Sequence, residues 1–162
     1  MFIHCTDKFA IMAATRCGHT NMYNCFGKVI YGATGFAVED WRIHHNPIVV
    51  LRNPLERVVS AFRVDDRERF FIAHSAPYMN NILTHSYFHI IDFYDLEQYI
   101  PRKGHQSPRT YSHADETVEV EDVYVQNSGY TLKELQQELE IYKELMMTRE
   151  RVSVEEWKEL TT

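Results

Sequence analysis

The sequence is short of several things, and each shortage closes off a class of function. Lysine and arginine total 17 against 23 aspartates and glutamates, a net charge of −6. No Lys/Arg-dense face stands out for binding nucleic acid in bulk, and any anion site has to be local. There are only three cysteines, Cys5, Cys17 and Cys25, with no C-x-x-C pair among them. An odd set of that kind fits a reduced compartment better than a disulfide framework. No apolar run of about 18 residues and no secretory leader pattern is present, so the expectation is a cytoplasmic protein with no membrane partner. The motif H-E-x-x-H is missing as well. His85 and His89 are four apart, a metal-ligand spacing if the stretch is helical, yet no third ligand lies nearby, and no metal is expected. Internal repeats and low-complexity tracts are also lacking, so the 162 residues are expected to form a single domain spanning 1–162.

What is there suits a globular fold: 44% hydrophobic residues, 13% aromatic and 25% charged. A chain of this length buries about 70% of the surface it exposes when unfolded. The most informative stretch is Lys8 to Thr20. Phe9 to Ala14 is a continuous apolar run of strand length, as expected for a strand buried on both faces of a parallel sheet. Arg16-Cys-Gly-His-Thr20 then sets a cation, a flexible backbone and a hydroxyl where a helix should begin, and the unpaired N–H groups of a helix start favour anions. The plainer reading is a tight strand-to-helix turn in which Gly18 relieves strain and Arg16 is solvated. The stretch is not a nucleoside triphosphatase loop of the form G-x-x-x-x-G-K-[ST], because it has one glycine and no lysine at that point.

Asn21 to Tyr31 continues as an expected helix, weakened by Gly27 and ended by Gly32. Gly35 to Val38 reads as a short strand, followed by the polar segment Glu39 to His45 and a second apolar strand over Asn46 to Leu51. The second informative stretch follows. Asn53 is placed to cap a helix, Pro54 suits its first position, and Glu56 stands three residues after the cap. Leu55, Val58, Val59 and Phe62 share one face of that helix, which leaves Arg57 and Ser60 together on another. Arg52 lies at the carboxyl end of the strand, where open α/β sheets bind ligands. Arg52 and Arg57 could also simply pair with carboxylates such as Glu56 or Asp65. Two successive strand-to-helix turns, each with an arginine and a hydroxyl, could hold two phosphate groups side by side.

These two stretches resemble the nucleotide-binding motifs of the sulfotransferases that use 3′-phosphoadenosine 5′-phosphosulfate, and the carbohydrate branch in particular. Arg16-Cys-Gly-His-Thr20 with its flanking strand and helix is similar to their 5′-phosphosulfate loop. Ile48 to Arg63 is similar to their 3′-phosphate motif, with arginine at a strand end, Asn-Pro, a second arginine and a serine eight residues after the first. A weaker echo is His105-Gln-Ser-Pro108. The likeness covers residues 8–31 and 46–63. It implies an α/β fold, a three-layer sandwich with a mainly parallel sheet in the P-loop nucleotide hydrolase style. It also implies 3′-phosphoadenosine 5′-phosphosulfate as co-substrate and a hydroxyl-bearing acceptor, in this branch a carbohydrate. By position, Arg16, Gly18, His19 and Thr20 would hold the 5′-phosphosulfate, and Arg52 and Ser60 the 3′-phosphate, with Cys17, Asn21 and Arg57 also among the cofactor-binding residues. The sequence departs from the family in three ways: Arg16 stands where lysine is usual, although arginine occurs in part of the carbohydrate branch, His19 stands where Ser or Thr is common, and the chain is shorter than typical members.

Sulfuryl transfer needs no metal in this scheme. The moving group carries less charge than a phosphoryl group, so Arg16 and backbone N–H groups could neutralise charge on the leaving nucleotide. A base would take the acceptor proton. In similar enzymes it lies between the first helix and the 3′-phosphate strand, which points to Glu39, Asp40, His44 or His45, with Glu39 and His45 put forward and His85, His89 and His105 in reserve. Ordinary exposed polarity is the competing reading for each. Two other functions fit the same loops: a divergent kinase or phosphate-ester enzyme, and a nucleotide-binding protein without catalysis.

Farther on, Ala76 to Tyr99 reads as one or two helices, clearest over Asp92 to Tyr99 and ended by Pro101. Residues 102–114 read as a loop and Val118 to Val125 as a strand. Thr131 with Glu134 forms a capping box for a helix to about Met147, with Leu132, Leu135, Leu139, Tyr142 and Met146 as its apolar stripe. Ser153 caps a last helix carrying Val154, Trp157 and Leu160.

Overall fold

The structure is a computed structural model that describes residues 1–26, 30–31, 35–64, 76–101 and 131–162. The expected loop over 102–114, the expected strand Val118 to Val125 and the His105-Gln-Ser-Pro108 echo lie outside the described residues.

The apolar runs form the middle of an open sheet. β1 (Phe2–Cys5), β2 (Ala10–Ala13), β3 (Ile30–Tyr31), β4 (Pro47–Leu51) and β5 (His89–Asp92) lie in the order β3-β1-β2-β4-β5. β2 pairs with β4, and β4 with β5, in parallel, while β1 runs against both β2 and β3. Four of the five strands therefore share one direction. Every residue of β2 and β4 is buried, so both faces of the sheet are covered, as their unbroken apolar runs require. The chain thus has the expected α/β arrangement, with an open, mostly parallel sheet and helices. No helix among the described residues is long and apolar enough to cross a membrane.

The helices among the described residues are α1 (His19–Phe26), α2 (Gly35–Ile43), α3 (Pro54–Val64), the short α4 (Met79–Ile82), α5 (Leu132–Thr148) and α6 (Val154–Thr161). A 3-10 helix, Phe93–Gln98, follows β5 directly. Local signals set several starts. The Asn53 side chain accepts from Leu55 N (2.9 Å) and Glu56 N (3.4 Å) at the head of α3, and α5 and α6 both open on complete capping boxes. α5 buries Leu135, Tyr142 and Leu145, whereas Leu132 is exposed.

Three sequence expectations are corrected. Gly35 to Val38 is not a strand but the first turn of α2, because Ala37, Val38 and Trp41 recur at helical spacing and bury one stripe. The helix after the first loop stops at Phe26, and Ile30 and Tyr31 instead pair with Ile3 and Phe2. Within 76–99, only Met79–Ile82 is α-helical. His89-Ile-Ile-Asp92 becomes a strand beside β4, and the helix expected from Asp92 is a 3-10 turn capped by the Asp92 carboxylate on Tyr94 N (3.1 Å). The i, i+4 histidine pair is lost with it: His85 sits in a turn and His89 on β5.

A ring cluster joins β1, α1 and α6. The His4 imidazole stacks on Phe26 with centroids 4.8 Å apart, and Trp157 meets Phe9 at 5.2 Å and Phe26 at 6.0 Å. Burial pushes the His4 pKa below its ordinary value. The unfolded chain then takes up a proton first as pH falls below about 6.5, so the neutral ring's contribution to stability is present above that value and lost on acidification through the folded one. We expect part of the stability lost between pH 7 and pH 5 to vanish in His4→Gln. Urea titrations across that range check it, and an unchanged pH slope would contradict it.

Candidate anion-binding site

The loop after β2 is built from residues 14–18. Cys17 N donates to Ala14 O (3.0 Å) to close the turn, and Met22 N donates to Gly18 O (3.2 Å) as α1 begins. Two left-handed residues shape it, Arg16 at φ 67° and Gly18 at φ 85°. Gly18 is required for two reasons. A side chain there would be strained at this φ, and its Cβ would lie 2.4 Å from Leu96 Cδ2, with the Phe93 ring at 3.8 Å. The 3-10 helix after β5 therefore forms the floor under the loop.

Three arginines hold this loop. Arg52, at the carboxyl end of β4, is only 7% exposed. Its Nη1 donates to Arg16 O (2.7 Å) and its guanidinium lies 4.3 Å from the Phe93 ring centroid. Its side chain also meets the Tyr94 hydroxyl, and its Nε has no hydrogen-bond partner among the described residues. Arg57, on α3 and 4% exposed, donates from Nε to Thr15 O (2.8 Å) and from Nη1 to Ala76 O (2.8 Å), over the Tyr78 ring at 5.2 Å. Arg16 is half-buried and donates from Nη2 (2.9 Å) and Nε (3.2 Å) to Ser60 Oγ. The Cys17 thiol is fully buried among them. Burial raises its pKa while Arg57, Arg52 and Arg16 pull the other way; burial prevails, so the thiol stays protonated and offsets none of their charge.

The structure thus gathers Arg16, Cys17, Gly18, Arg52, Arg57 and Ser60 at one place, the carboxyl edge of adjacent parallel strands. His19 and Thr20 are the first residues of α1, and Asn21 is buried one position later. The cluster is continuous rather than two separated pockets, since Arg16 and Ser60 touch. Arg57, expected among the cofactor-binding residues, spends two donors on main-chain carbonyls and so acts as a strut for the loop.

The expected bases are not brought to this edge. Glu39 is exposed on α2 and forms an ion pair with Arg42, which also donates to Ser86 Oγ (3.2 Å). Asp40 is exposed on the same helix. The exposed His45 ring stacks on His44 at 4.3 Å. His44 Nε2 donates to Thr6 O (2.8 Å), and its Nδ1 accepts from Asn46 N (3.0 Å), which fixes its tautomer. Both histidines precede β4, whereas Arg52 follows it, and five strand residues span about 16 Å. His89 opens β5 at that same amino edge, 3.5 Å from Glu150. Sequence reasoning missed Phe93, Leu96 and Tyr78, which come from segments with no pattern tying them to the loop. Comparison with protein-family models, with curated proteins and with solved structures gives no match.

Proposed function

We propose that the protein is a sulfotransferase of the P-loop-like three-layer kind, binding 3′-phosphoadenosine 5′-phosphosulfate at the carboxyl edge of β2 and β4 and passing its sulfuryl group to a carbohydrate hydroxyl. The observation that carries this reading is Arg52: a buried guanidinium facing the loop, beside the Tyr94 hydroxyl, with an Nε–H that no group among the described residues accepts. Buried donors are almost always paired, and an anion is the partner that suits a charged one. A phosphate of the nucleotide would take that donor together with Ser60 Oγ. The Arg16 guanidinium, released from Ser60, would turn to the 5′-phosphosulfate beside the amide of Gly18. The acceptor oxygen would then bond to sulfur, losing its hydroxyl proton to solvent water, as the sulfur–oxygen bond to the nucleotide breaks, leaving adenosine 3′,5′-bisphosphate, with Arg16 offsetting the charge on the departing oxygen. Arg57 would keep the Thr15 carbonyl fixed throughout.

Calorimetric titration with adenosine 3′,5′-bisphosphate, 5′-AMP and Mg-ATP tests this. We expect binding that demands the 3′-phosphate, weaker by about 1.5–3 kcal/mol in Arg52→Ala and by about 0.5–1.5 kcal/mol in Ser60→Ala. Preference for Mg-ATP, or no binding by the folded wild type, would sink the proposal. The placement of His45 at the far edge, with Glu39 tied to Arg42, favours a second reading, a nucleotide-binding protein that performs no transfer. Binding of the bisphosphate with no turnover of the phosphosulfate against a panel of sugars would select it.

A further inference from the structure

Glu138 is a buried carboxylate that the proposed chemistry does not use. It sits on α5, 3% exposed, and no side-chain cation bonds to it among the described residues. Its Oε1 instead accepts from two main-chain amides, Tyr78 N (2.9 Å) and Met79 N (3.0 Å). Burying a carboxylate is costly, and burial raises its pKa against the pull of the Tyr78 and Met79 amides, the Arg57 charge and the Asn80 amide. An apolar side chain would pack α5 against α3 and α4 with no such penalty, so the carboxylate calls for a reason.

The reason lies two residues upstream. The Ala76 carbonyl, which receives Arg57 Nη1, is joined to the Tyr78 amide through Pro77, whose ring fixes its own φ and removes a donor. Pro77 ψ is then the one soft torsion between them, so pinning the Tyr78 amide narrows the positions open to the Ala76 carbonyl. Arg57 then spans from that carbonyl to Thr15 O in the anion loop, 2.8 Å at each end. A chain of bonds thus runs from α5 through the 76–79 turn and α3 to the loop.

We propose that Glu138 is a positioning residue for the 14–18 loop: by holding the Tyr78 and Met79 amides it restrains the Ala76 carbonyl, hence the Arg57 guanidinium, hence Thr15. Its value to nucleotide binding rests on the function proposed above, but the mechanical link does not.

The test uses the full chain, with Glu138→Met, which removes the acceptor oxygens, Glu138→Gln, which keeps one, and, as control, Glu144→Gln at an exposed position of the same helix. Hydrogen exchange at the Arg57 Nε–H and at the 15–18 amides is followed by NMR, beside titration with adenosine 3′,5′-bisphosphate. We expect exchange at Arg57 Nε–H to speed up about tenfold or more in Glu138→Met, bisphosphate binding to weaken several-fold, recovery of much of both in Glu138→Gln, and no change in Glu144→Gln. Wild-type exchange at Arg57 in a Glu138→Met protein that merely melts earlier would overturn the link. If the wild type binds no bisphosphate, the function proposed above falls, while the exchange rates still decide the role of Glu138.

Discussion

Trp41→Ala is expected to remove about 4 kcal/mol of folding stability, within the range for deleting a large buried aromatic. The indole is fully buried, lies 5.9 Å from the Phe88 ring, and donates from Nε1 to Ile48 O (2.8 Å). Alanine would leave a cavity between α2 and the sheet and remove the indole's bond to a carbonyl of β4. Against a total stability of about 5–15 kcal/mol, that is a large share, and with a slope of about 2 kcal/mol per molar urea the midpoint should fall by about 2 M. Trp41→Phe narrows the cavity part, since it keeps one aromatic ring while losing the N–H together with two ring carbons; a loss of about 1–3 kcal/mol is expected. A midpoint within 0.5 M of wild type in Trp41→Ala would mean, at the same slope, that this ring does not hold α2 in place.

Gly18→Ala should cost about 2–4 kcal/mol. Roughly 1 kcal/mol comes from placing a Cβ in a left-handed conformation at φ 85°. The remainder is overpacking, about 1–3 kcal/mol, because the new methyl would meet Leu96 Cδ2 at 2.4 Å and Leu96 is fully buried. The loop would have to lift from the Phe93 and Leu96 floor, and Phe93 also carries the Arg52 guanidinium, so bisphosphate affinity should fall along with stability. Leu96→Ala in the same chain gives the check. It removes the colliding methyl, so the double variant should be less destabilised than the sum of the two singles. Strict additivity would place the whole effect in the backbone conformation.

Much of this architecture is legible where a short signal decides it. The unbroken apolar runs of β2 and β4, the Asn53-Pro54 start of α3 and the capping boxes at Thr131 and Ser153 all lie where their residues place them. α2 is misread because Gly35-Phe-Ala-Val38 looks like a strand until Trp41 is included in the same stripe. β5 is hard to see because His89-Ile-Ile-Asp92 is four residues long and owes its conformation to β4 beside it. Within the candidate site, Arg16, Arg52 and Ser60 are foreseeable together, since two strand-to-helix turns of neighbouring parallel strands open on the same edge. The placement of His45 is foreseeable by the same logic: a residue just before a strand and one just after it lie at opposite edges. Glu138 leaves no such trace, because its partners lie about 60 residues away and its spacing within α5 matches an ordinary helix position.

The segment between α5 and α6 runs alongside β5, with Ile90 N donating to Glu150 O (2.8 Å) and Val152 N donating to Ile90 O (2.9 Å). Both main-chain groups that Ile90 would otherwise offer outward are thereby taken, and the exposed Glu150 and Arg151 flank the seam. An open strand margin is a template on which other chains can add strands and build aggregates. On this side of the sheet the protein closes that route with its own chain.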